Sequence, residues 1–160
     1  MMKLTISFIA AIVLFTSCKQ YEKAPSGMRY IITHGTGNEK NIQHGEFVKF
    51  NVEYKLKSND SILRSTYDTL PLYFPVDTAH LGSYTLTEIF LQCRKGDKIE
   101  FLVNIDSLVA MNKMRLNDVF KSKDIILGRA EILEVFTTSE FINADLRKEL
   151  EKQQNKRYKK

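Results

Sequence analysis

The sequence predicts an α+β fold: mostly strands, organised around one short internal helix, with a charged helix closing the chain. Three observations predict it. Leu86, Ile89, Phe90 and Cys93 recur at i, i+3, i+4 and i+7, which makes one apolar helical face. Thr85 and Glu88 have the spacing of a capping box, and Gly96 follows the cations Arg94 and Lys95, so this helix runs from about Thr85 to about Lys95. Directly afterwards the period switches to two, with Ile99, Phe101, Val103 and Ile105 on one face and Lys98, Glu100 and Asn104 on the other, the pattern of a half-buried strand.

The first residues are read apart from the fold. Lys3 precedes the apolar run Leu4 to Phe15, and Thr16, Ser17 and Cys18 follow. These are the parts of a secretory signal, and a run of twelve residues falls short of the 18 to 20 or so that span a bilayer. The division expected is a signal peptide over 1–17, a tether over 18–26 that contains Pro25, one domain over 27–137 and a charged tail over 138–160. With 43% hydrophobic and 27% charged residues the chain is of the folded, water-soluble class. Its formal charge of +5 sits mainly in the tail, where Ser139 to Lys160 holds seven basic and four acidic side chains. A solvated charged helix is the first reading of that tail; of the functional versions, attraction to an anionic lipid or envelope polymer fits better than nucleic acid, which an exported protein rarely meets.

Along the domain, Met28 to Thr33 reads as a strand that ends at Gly35 and Gly37. Those two glycines make a turn rather than a phosphate loop, because neither a third glycine nor an amphipathic helix follows. Phe47 to Lys57 is the cleanest strand: Val48, Phe50, Val52, Tyr54 and Leu56 face the core, and Lys49, Asn51, Glu53, Lys55 and Lys57 face water. The polar residues Ser58 to Ser61 turn the chain into a shorter antiparallel strand, Ile62 to Tyr67. Prolines 71 and 75 restrict Leu70 to Phe74 to a sheet edge or an extended loop. Ser107 to Lys123 fits neither period and reads as a loop with one or two helical turns. Ile125 to Phe136 is the last strand, where Gly128 marks a bulge or a close backbone approach. The tail helix carries only Phe141, Ile142, Leu146 and Leu150 as apolar docking residues.

Two resemblances add to this reading. Thr16-Ser17-Cys18 resembles the lipobox of bacterial lipoproteins, although Phe15 stands where that motif usually has leucine. It implies that Cys18 is acylated and that the chain is held at the cell envelope facing the periplasm, at the outer membrane since Lys19 rather than an aspartate follows. The domain resembles the FKBP-type peptidyl-prolyl cis-trans isomerases of bacterial lipoproteins over about residues 27–136. The matching segments are Gly27-Met28-Arg29-Tyr30-Ile31, Gly45 with Val48 and Val52-Glu53-Tyr54, Asn59 to Tyr67, Pro71-Leu72-Tyr73-Phe74, Gln92 to Lys98, and Ala130-Glu131-Ile132-Leu133. The resemblance implies an antiparallel half-barrel around one short helix, proline-containing polypeptides as partners, and rotation about X-Pro bonds with no cofactor.

It also implies a proline pocket lined by Tyr54, Leu63, Arg64, Leu72 and Leu86. Tyr54 keeps the family's tyrosine. Leu63 and Arg64 replace a Phe-Asp pair, Leu72 a phenylalanine, and Leu86 the tryptophan of the floor. Val109 stands near the flap tyrosine and Gly128 at a phenylalanine of the last strand. Loss of ring stacking on proline leaves a second class open, a noncatalytic chaperone or docking module. His34, His44 and His80 share no metal-ligand spacing and read as surface residues. Cys93, alone once Cys18 is given to lipid, reads as a small buried hydrophobe.

Overall fold

The longest alternation in the sequence becomes the centre of the sheet. In the computed structural model, which describes residues 20–37 and 39–158, β3 (Phe47–Leu56) pairs along its whole length with β7 (Ile125–Phe136). The signal segment, Cys18 and the last two lysines lie outside the described residues. The other edge of β3 is shared: β5 (Leu72–Pro75) pairs with its first half and β4 (Ile62–Ser65) with its second. Beyond β7 come β6 (Lys98–Asn104), β2 (Arg29–Thr33) and β1 (Glu22–Lys23), so the described residues form a seven-stranded antiparallel sheet. The edge position expected from the two prolines is where β5 sits.

The internal helix is shorter than the period suggests. Helix α1 spans Thr87–Phe90, with turns before and after it. Only half of the capping box forms: Glu88 accepts from the Thr85 N–H at 3.1 Å, while the Thr85 hydroxyl bonds Thr87 instead. All four residues of α1 are buried, and the Phe90 ring meets Phe50 edge-on at 5.0 Å. Phe90 and Cys93 share one cluster with Val52, Phe101 and Ile132. Cys93 is buried and its thiol donates to the Ile89 carbonyl; burial pushes its pKa up, and the charge of Asp97 adds to this, so the sulfur is inert packing. Strand β6 ends one residue before Ile105, which opens helix α2 (Ile105–Ala110) under an Asn104 cap.

Three features depart from the sequence reading. Residues 22–24 are not free tether, since β1 pairs with β2, Ala24 is buried and the Tyr21 hydroxyl donates to Glu100 at 2.7 Å. Lys49 does not face water: it is 7% exposed, because helix α3 (Ser139–Tyr158) covers it. Its ammonium bonds Asp145 at 2.6 Å and Glu149 at 3.0 Å, and the Tyr73 hydroxyl also donates to Asp145 at 2.6 Å. The tail is therefore docked by charge, while Phe141 and Leu150 remain largely exposed. Finally, buried Asp97 accepts from the N–H groups of Gly35 and Arg94 and from His34, all within 2.9 Å. A Cβ on Gly35 would lie 2.9 Å from the Gly96 carbonyl oxygen, so glycine there permits this contact between the two turns.

Candidate functional site

Where β3, β6 and β7 pass in front of α1, their inward side chains stop short of closing the core. A cavity of about 250 Å³ remains. Leu86 forms part of it from the entry of α1, with Tyr84 and Thr85 beside it. Tyr54 of β3, Phe101 and Val103 of β6 and Ile126 of β7 form the sheet side, and Met28 and Leu108 complete the lining. The residue types are almost wholly apolar. Tyr54 and Phe101 meet edge-to-face, 5.8 Å between ring centres at 85°, the arrangement that places a positive ring edge on a negative face.

The turn that carries Met28 is fixed by charge. Glu88, buried in α1, accepts from the Ser26 N–H at 2.9 Å with one carboxylate oxygen and caps Thr85 with the other. On the opposite side, the Tyr84 hydroxyl accepts from the Asn104 N–H at 3.1 Å, and the Lys113 ammonium bonds the Ser83 carbonyl. Burial raises the pKa of the Tyr54 hydroxyl above the ordinary tyrosine value, and the charge of Arg64 acts against that shift. The phenol is thus a protonated donor at neutral pH. It bonds no other described residue.

No protein-family model matches the chain, and neither does any curated protein. Solved structures do. FkpA from Escherichia coli is similar with a TM-score of 0.55 at 18% identity, over 76% of this chain and 54% of that one. A peptidyl-prolyl cis-trans isomerase from Pseudomonas syringae pv. tomato gives 0.52 at 16%, covering 75% of this chain and 84% of the other. AtFKBP13 gives 0.51 at 17%, covering 72% and 98%. The chain carries an FKBP-like domain. It spans about half the length of FkpA.

In this FKBP-like domain the five residues expected to line one pocket do not all meet. Tyr54 and Leu86 do. Arg64 is exposed but lies directly across the ladder from Tyr54, so its side chain leaves the sheet on the same face as the phenol. Leu63 is skipped by a register shift, because Tyr54 pairs with Arg64 while Lys55 pairs with Ile62. It packs half-buried against the core instead. Leu72 pairs with Phe50 and likewise supports the core without entering the cavity. On α2 the residue that reaches the cavity is Leu108, one place before the Val109 that the flap position suggested.

Phe101 is the wall that the sequence reading missed. It pairs across β6 and β7 with Gly128, and a Cβ on Gly128 would stand 2.1 Å from the ring's Cζ. The ring therefore lies over the glycine. An aromatic group absent at position 128 is replaced in space by one from the neighbouring strand. The signal was present as a glycine inside a β-branched strand, which asks for something large across the ladder.

Proposed function

We propose that this FKBP-like domain is a peptidyl-prolyl cis-trans isomerase that acts on proline-containing polypeptides in the bacterial envelope. One observation carries the reading: an apolar cavity flanked by the edge-to-face pair Tyr54 and Phe101, in which the Tyr54 hydroxyl bonds no other described residue. Rotation about X-Pro needs no nucleophile or metal. The planar amide is held by resonance worth about 18–20 kcal/mol as a barrier, and uncatalysed exchange takes tens to hundreds of seconds. An apolar cavity that receives the prolyl ring strips water from the amide and disfavours its polar, resonance-stabilised ground state. The Tyr54 O–H donates to a substrate carbonyl and fixes the peptide while the amide twists. The neighbouring Arg64 draws an acidic residue beside proline.

Acylation of Cys18 belongs to the same proposal, supported by Lys3, the short apolar run and the small pair before the cysteine. Cys18→Ser then moves the protein from the membrane fraction to the soluble envelope fraction; a variant that stays in membranes contradicts the anchor. The noncatalytic reading draws on Leu86, an aliphatic residue where ring stacking is expected. Titration of an X-Pro peptide and its X-Ala counterpart, followed through the resonances of Tyr54, Leu86 and Phe101, tests the site. Shifts confined to the X-Pro peptide are expected, and equal response to both peptides removes the proline site.

A further inference from the structure

We propose that Tyr84 supplies the aromatic face on which a bound prolyl ring packs, the part that a ring at position 86 would otherwise play. The inference rests on the proline site proposed above and names the residue that selects proline there.

The backbone turns this side chain inward. Gly82 and Tyr84 both stand in the left-handed region, at φ 83° and 57°, on the turn that enters α1. Glycine takes that region freely, but a bulky residue holds it only where its surroundings over-determine it. Two contacts do so. The Tyr84 hydroxyl accepts from the Asn104 N–H at 3.1 Å, and the Lys113 ammonium bonds the Ser83 carbonyl. Asn104 needs such a partner: the next N–H, of Ile105, bonds Asp124, so that of Asn104 points to the opposite edge, where the β2 ladder has stopped at Arg29 and Leu102. The phenol completes the edge of β6, and this fixes the direction of the ring.

The face of that ring is unengaged. Tyr84 is only 8% exposed, yet it lines the cavity together with Tyr54, Leu86 and Phe101. It also borders a shallower groove walled by Asn104 and Ser107. Its side chain thus runs from the entry of α1 to the end of β6 and is a partition between the two spaces. Of the three cavity rings, Tyr54 and Phe101 meet edge-to-face, whereas Tyr84 pairs with no ring among the described residues. Its face is the aromatic surface left for a guest. The C–H bonds beside a prolyl nitrogen are electron-poor and pack well on the negative face of a ring, and an alanyl methyl offers less of such surface. Leu86 then contributes apolar floor two residues away.

The test follows the prolyl ring protons of an X-Pro peptide by NMR as the purified full chain is added. Protons lying over a ring face move upfield, and cross-relaxation with the Tyr84 ring protons identifies the ring. Both are expected for the parent. Tyr84→Leu keeps an apolar side chain and makes the same demand on the backbone, but removes the face. The upfield shift is expected to shrink and affinity for the X-Pro peptide to fall about 2- to 10-fold, with affinity for the X-Ala counterpart unchanged. Tyr84→Phe returns the upfield shift, which a merely structural role of the hydroxyl would not do. Amide spectra verify the fold of each variant, and the cross-relaxation in the parent needs no variant. A parent that prefers the X-Pro peptide without cross-relaxation to Tyr84, or a shift and affinity that survive Tyr84→Leu, overturns the inference and leaves the proline site standing. A parent with no preference for X-Pro over X-Ala removes the proline site, and this inference with it.

Discussion

Adding one methyl group at Gly128 tests the aromatic wall directly. The new Cβ would stand 2.1, 2.3 and 2.6 Å from three atoms of the Phe101 ring, all far inside van der Waals contact. Because Phe101 is buried and braced edge-on by Tyr54, the ring has one yielding direction, into the cavity it lines. Overpacking of this kind costs about 1–3 kcal/mol, against which alanine returns about 0.4–1 kcal/mol by restricting the unfolded chain. Gly128→Ala is therefore expected to lose about 1–2 kcal/mol, read as a fall of roughly 4–8 °C in Tm for a domain of this size. The assay is a double-mutant cycle by urea denaturation with Phe101→Leu. If the ring is the obstacle, the two substitutions couple, and Gly128→Ala costs less or gains stability when leucine stands at 101. Additive effects, or a Gly128→Ala protein as stable as the parent, would refute the placement of the ring over the glycine and with it the replaced wall.

Four further outcomes follow. Phe90→Ala removes a fully buried ring packed on Phe50 and should cost about 3–5 kcal/mol by urea denaturation; unchanged stability would put α1 outside the core. Lys49→Met should release α3, with a loss of about 1.5–3 kcal/mol of docking and faster amide exchange over Ser139–Tyr158. The same latch fixes a pH response. Burial opposes ionisation of Asp145, but its bonds from Lys49 and Tyr73 prevail and lower its pKa; bonds from Lys152 and Lys49 lower that of Glu149. Their contribution is then full above the ordinary carboxylate pKa of about 4 and is lost as pH falls below it. Burial likewise opposes the charge of Lys49, yet the two carboxylates raise its pKa, so its contribution holds up to about pH 10.5 and is lost above. Protection of the α3 amides, taken relative to the intrinsic base-catalysed exchange rate at each pH, is expected to be flat between pH 5 and 10 and to fall in acid, and protection that falls between pH 5 and 8 contradicts it. Arg64 should make X-Pro peptides with Glu before proline better partners than those with Lys; equal response would place its charge outside selection.

Periodicity made the strands legible. The alternation of β3, the switch at Gly96 and the proline-flanked edge all stand in the structure because each records which side of a strand meets the core. It could not show what lies on the other side. Lys49 has the sequence of an exposed residue and became buried only because a distant helix offers two carboxylates. Asp97 escaped notice for a similar reason: its partners Gly35, Arg94 and His34 come from two turns that a linear reading keeps apart. In the candidate site, Tyr54 and Leu86 were legible from motif positions. Leu63 was lost to a one-residue register slip, and a slip of that size changes which residues share a face. Phe101 was visible as a core residue, but its role depends on a glycine on the adjacent strand, a pairing that only the ladder supplies.

The central claim is that the cavity beside Tyr54 and Phe101 accelerates rotation about X-Pro bonds. Exchange NMR on a panel of X-Pro peptides, with the full chain and with Tyr54→Ala and Phe101→Ala, measures that rotation without a coupled enzyme. The account predicts cis-to-trans exchange faster than the spontaneous tens to hundreds of seconds for the parent, and a return to the spontaneous rate in both variants, with each variant's fold verified by its amide spectrum. No acceleration on any peptide, or acceleration that survives both substitutions in folded protein, would contradict it.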